Sequence, residues 1–142
     1  MMYAIKIMIF SILFFILIFA TTYFAMQRFA DQPSSSCLDC AYLKDTFFFS
    51  FPSLVLMPFV LFIMKKIKIN KLLFSIGIAA LFVIMAFTID LNVFKDRVSS
   101  WSSYSIEDEV IATLFQSYLY TLTGGGLVFI IFYQFYKTDK KR

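Results

Sequence analysis

Cys37-Leu38-Asp39-Cys40 is the stretch whose residue types and spacing come nearest to covalent chemistry. Two thiols at this spacing can close on each other as a staple, cycle between dithiol and disulfide, or supply half of a zinc site. Zinc would need further ligands, and the chain has 2 cysteines and no histidine, so a metal centre would require a second copy. The missing histidine also removes the commonest general base. There is no G-x-S-x-G elbow and no phosphate-binding loop, which argues against hydrolases and NTPases. No catalytic residue, metal or cofactor is assigned from the sequence, and the chain is expected to be non-enzymatic.

Two other patterns could do work inside a membrane. Gly124-Gly125-Gly126 lies in the middle of an uncharged run, where it can serve as a hinge or allow close packing; packing is preferred. Gly77 and Ala80, three apart, offer a second small-residue face. Around the glycines runs a polar stripe of Thr113, Gln116, Ser117, Tyr120 and Thr121. It could line a water path, though such hydroxyls more often bond back to their own helix. By the span limits below, no Asp, Glu, Lys or Arg stands at depth, Asp90 falling at a boundary. Proton- or cation-coupled transport, which usually needs an intramembrane acid, is therefore disfavoured.

The elements that must hold these residues follow from composition. Of 142 residues, 61% are hydrophobic and 15% charged, more apolar surface than one soluble core of this size can bury. Uncharged runs predict spans at about 7–27, 46–64, 72–89 and 110–136. The first has a longer apolar core than a secretory signal and reads as a retained span. Pro52 and Pro58 should kink the second, with Ser50 and Ser53 placed to re-satisfy freed carbonyls. Outer loops are expected at 28–45 and 90–109, an inner loop at 65–71 and an inner tail at 137–142. In the second outer loop, Val93, Phe94, Val98 and Trp101 share one helical face and Lys95, Asp96 and Arg97 the other. This predicts a short interfacial helix, with Trp101 and Tyr104 at headgroup level. Ser105 and Asp108 have capping-box spacing, so the fourth helix should start near Ile106.

Charge orients the bundle. Lys6, Lys65, Lys66, Lys68, Lys71, Lys137, Lys140, Lys141 and Arg142 gather on one side, whereas eight of the nine acids lie on the other. The positive-inside rule then places both termini in the cytoplasm. The expected fold is an all-α, four-transmembrane-helix bundle, N-in and C-in, in one domain. This puts Cys37 and Cys40 on the oxidising face, where a structural disulfide is preferred over a redox pair. The basic clusters suit anionic lipid or an acidic cytoplasmic partner; they do not read as a nucleic-acid footprint.

Four spans with a C-x-x-C pair just before the second resemble the DsbB family of quinone-linked thiol oxidases in outline. That resemblance implies a redox role for Cys37 and Cys40. The chain departs from the family in lacking a second cysteine pair in the other outer loop, and the family's arginine after the motif, for which Lys44 is the nearest base. At the level of span count alone, the chain is similar to membrane subunits of Kiwa-type defence systems and to colicin A-type immunity proteins. The favoured expectation is a bacterial inner-membrane subunit of a defence or stress-response system. It would oligomerise in the bilayer, sense membrane disturbance and couple to a cytoplasmic effector. An immunity protein against a pore-forming bacteriocin and a thiol oxidoreductase are the alternatives. A bias to Phe, Ile and Lys, typical of AT-rich accessory genes, suggests the bacterial setting.

Overall fold

A computed structural model describes residues 2–66 and 70–139, with side chains for 5–64 and 70–134. The described residues are all-helical: α1 Met2–Ala25, α2 Tyr42–Lys66, α3 Lys71–Arg97 and α4 Ile106–Asp139. All four are long and apolar enough to cross a membrane. Only 22–33% of their most apolar windows is buried within the protein, so most of that surface needs lipid as its solvent. Phe48, Phe59, Ile84, Phe115 and Leu119 all face outward.

The core is threaded by one stripe from each helix. Phe14 and Ile18 of α1 meet Met57 and Leu61 of α2, Ile78, Phe82 and Ala86 of α3, and Val128 and Phe132 of α4. Phe14 and Phe82 pack edge to face with centroids 5.5 Å apart. The most extensive seam joins α3 to α4, and α1 bridges α2 to α4.

Two expectations about α3 are corrected. The helix does not stop at Ile89 but runs on to Arg97. Its buried stripe continues through Ile89, Asp90, Val93, Phe94 and Arg97 at three- and four-residue spacing. No glycine or proline interrupts it, and a single charge does not end a helix whose inward face persists. Val93 and Phe94, assigned to a separate interfacial helix, therefore belong to the last turns of α3; only a 3-10 turn, Ser99–Trp101, follows. The basic Lys95 and Arg97 complement the negative helix end.

α4 starts at Ile106 behind Ser105, whose hydroxyl accepts the Asp108 amide at 3.2 Å and donates to the Asp108 carboxylate at 2.6 Å. In α2 the hydroxyls of Ser50 and Ser53 donate to the carbonyls of Thr46 and Ser50. They do not reach the carbonyls four residues before Pro52 and Pro58, because a serine hydroxyl reaches back only within its own turn.

Candidate functional site

The end of the bundle at the C-terminus of α3 is tied by Arg97. Its guanidinium is 2% exposed. Nη2 donates to Asp45 Oδ2 at 2.6 Å and to the Cys40 carbonyl at 3.2 Å; Nη1 donates to the carbonyls of Ala30, at 3.0 Å, and Gln32. Its face lies over the Tyr42 ring, 5.2 Å from the centroid. A planar fork of donors suits this arrangement, since one side chain can hold a carboxylate and several carbonyls at once. Asp96 grips the same loop from the opposite sign. Its carboxylate accepts the hydroxyls of Ser34 and Ser35, at 2.6 and 2.8 Å, and the Ser36 amide at 2.9 Å. Trp101 Nε1 adds a bond to the Pro33 carbonyl at 2.9 Å. The last turn of α3, with Trp101 just beyond it, thus fastens the segment between α1 and α2, and the first turn of α2, to the end of α3.

Cys37 and Cys40 form a disulfide inside this clasp, with Cα atoms 5.3 Å apart. The Cys40 amide donates to the Cys37 carbonyl, and the Cys37 amide to Ser34 Oγ. The cation that approaches the pair is Arg97, from the last turn of α3, whereas Lys44 is exposed. Glu109 of α4 completes the tie by pairing with Lys95 at 3.4 Å and accepting from Ser99.

Two turns along α3 from the clasp is a second polar group, around the acid that the sequence places at a span boundary. Asp90 lies inside α3 and is fully buried. Thr22 of α1 and Ser117 of α4 lie against its carboxylate. Nearby, Gln116 of α4 donates to the Ala25 carbonyl of α1 at 3.3 Å, closing the α1–α4 gap at this level. Yet Asp90 Oδ1 and Oδ2, Thr22 Oγ1, Ser117 Oγ and Thr113 Oγ1, one turn along α4, make no hydrogen bond of regular geometry. Charge alone marked Asp90 as a span boundary in the sequence; the seven-residue spacing to Arg97, which sets both on one helical face, was the available signal.

The other singled-out residues divide between inside and outside. Gly124 and Gly125 sit on the α3–α4 seam: a Cβ at Gly124 would lie 2.7 Å from the Phe82 ring and 2.8 Å from Thr21 Oγ1, and one at Gly125 2.8 Å from Val83. Gly126 has nothing within 4 Å of such a Cβ. Gly77 touches Met64, but Ala80 faces outward, so their three-residue spacing does not make one packed face. Thr113, Ser117 and Thr121 point inward, Gln116 is half-buried and Tyr120 is exposed, so the stripe is narrower than its spacing suggested. Trp101 and Tyr104 are exposed beyond the end of α3. Lys71 opens α3, and its Nζ lies 3.4 Å from the centroid of the Tyr133 ring. Lys65, Lys66 and Lys137 lie on helices with side chains outside the described set; Lys68, Lys140, Lys141 and Arg142 lie outside the described residues.

Between α3 and α4 an apolar groove of about 610 Å³ opens outward, with Ile84, Phe87, Phe115, Tyr118 and Leu122 along its walls. Among the described residues no three His, Cys, Asp or Glu side chains assemble as a metal site. No protein-family model, no curated protein and no solved structure matches this chain.

Proposed function

We propose that this multi-pass membrane protein is a non-enzymatic coupling subunit that works by association in a bacterial cytoplasmic membrane, both termini facing inward. The observation that supports this reading is the composition of α3. One helix carries Asp96 and Arg97, which hold the outer loop, and Phe82 and Val83, which meet the glycine seam of α4. A force on the outer loops is then carried to the α3–α4 interface as movement of a stiff rod, since a packed seam switches between arrangements rather than bending smoothly. The basic cluster Lys65, Lys66, Lys68 and Lys71, with the tail Lys137, Lys140, Lys141 and Arg142, is the surface offered to anionic lipid or an acidic effector. A defence or stress-response system that senses membrane disturbance, with several copies of the chain in the bilayer, is the setting this design suits.

The test is affinity purification of the tagged, detergent-solubilised protein from its native host. A soluble partner is expected to copurify with wild type and to be lost when Lys65, Lys66, Lys68 and Lys71 become Gln, with membrane abundance unchanged. Wild type recovered without a soluble partner, but protecting its host from a pore-forming bacteriocin, would replace this reading with immunity. Quinone reduction coupled to oxidation of a dithiol substrate would replace it with thiol oxidation.

A further inference from the structure

We propose that Asp90, Thr22 and Ser117, with Thr113 one turn outward, form a binding site for a small monovalent cation of the Na+ type. The site is closed, since all four residues are fully buried. It is drawn from three helices, with Thr22 on α1, Asp90 on α3 and Thr113 and Ser117 on α4.

The hydroxyls carry the argument. Elsewhere in these helices buried hydroxyls bond back to their own helix: Thr46 to Tyr42, Ser50 to Thr46, Ser53 to Ser50, Ser75 to Lys71. That is the ordinary fate of a membrane Ser or Thr. Thr22, Thr113 and Ser117 forgo it and are left, with both carboxylate oxygens, as five buried oxygens lacking a partner. A neutral acid among three hydroxyls has enough donors and acceptors to close hydrogen bonds within the group. Thr22 and Ser117 come within reach of the carboxylate, yet no contact in the group has regular hydrogen-bond geometry. Oxygens gathered around a carboxylate in this way are arranged as ligands of a shared cation. The donor set is oxygen only, which selects a hard ion. It holds one formal charge, so a monovalent ion leaves the chamber neutral, whereas a divalent one would leave net charge in a low-dielectric interior.

Protein cations do not supply the neutralisation. Arg97, two turns along α3, is committed to Asp45 and three carbonyls, and Lys95 to Glu109. From α2 the titratable neighbour is Tyr42, whose hydroxyl is spent on the Thr22 and Tyr23 carbonyls at 3.3 and 2.8 Å. The clasp caps this group at the C-terminal end of α3, so an ion would enter from that end when the 30–41 loop loosens. This assignment does not depend on the association reading.

The experiment is radiolabelled-sodium binding and thermal unfolding of the full-length protein in detergent at pH 8, in NaCl or choline chloride at equal ionic strength. Wild type should bind one Na+ per chain and melt about 5 °C higher in saturating sodium than in choline. Asp90→Asn should abolish both effects, and Ser117→Ala should weaken binding about tenfold, a loss of ~1.4 kcal/mol. Thr88→Ala, which removes an exposed hydroxyl bonded to the Ile84 carbonyl, should change neither. If Asp90→Asn fails to fold, Thr22→Val and Ser117→Ala carry the same comparison. Equal melting of wild type in sodium and choline, or an undiminished sodium response in the folded variants, overturns the site. A stability that falls as pH rises, identically in both salts, would identify a neutral carboxylic acid and overturn it too.

Discussion

Taking a guanidinium out of water costs several kcal/mol, and the cost is met only when its donors are filled. At Arg97 the two terminal nitrogens bond one carboxylate and three carbonyls while Nε has no partner, so removing the partner or the cation alone leaves an uncompensated group. Arg97→Ala is expected to lower stability by about 3–5 kcal/mol, and the Arg97→Met/Asp45→Leu pair by clearly less; detergent thermal melts of both decide it. The glycines separate as sharply. Gly124→Ala should destabilise by about 1–3 kcal/mol, because the Phe82 ring and Thr21 must move, whereas Gly126→Ala should be neutral or slightly stabilising. Equal melting temperatures for the two variants would contradict the packing described. The sequence exposed the glycine run but could not rank its members, since their facing depends on where α3 lies. Arg97 was hidden for a different reason. A charge scores as outward in any hydropathy pattern, and its partners lie 52 to 67 residues earlier in the chain.

At the scale of elements, α3 runs further than its hydropathy suggests, and its last turns carry Asp90, Asp96 and Arg97. An acid closes a hydropathy window, so Asp90 read as a terminus; helical continuity depends instead on the inward stripe, which continues to Arg97. The start of α4 was legible because capping is local, carried by Ser105 and Asp108 three residues apart. The loop at 30–41 and the first turn of α2 are held mainly by Asp96, Arg97 and Trp101, with the disulfide closing only a short turn. The Cys37→Ser/Cys40→Ser variant should therefore fold, and lose about 2 kcal/mol of stability. A dithiol reductant should lower the wild-type melting temperature to that of the variant and leave the variant unmoved. A larger loss in the variant than in Arg97→Ala would make the disulfide, not the arginine, the principal tie.

For the molecule as a whole, four span-length helices and their all-helical character were legible because lipid acts on composition, which needs no knowledge of packing. What composition does not give is the polar interior, since Thr22, Asp90 and Ser117 are brought together only by three helices meeting. Orientation is the whole-molecule prediction that the coupling proposal needs. In the Cys37→Ser/Cys40→Ser background, a cysteine at exposed Ser102 should react with a membrane-impermeant maleimide from outside intact spheroplasts, and one at Asn70 only after permeabilisation. The reverse pattern would turn the basic face outward and remove the cytoplasmic effector from the scheme.

The clasp also dictates an order of assembly. Ala30, Gln32, Cys40 and Asp45 are all translated before Arg97. The first helical hairpin must therefore wait in the bilayer with an unpaired carboxylate at its rim until the third helix leaves the ribosome.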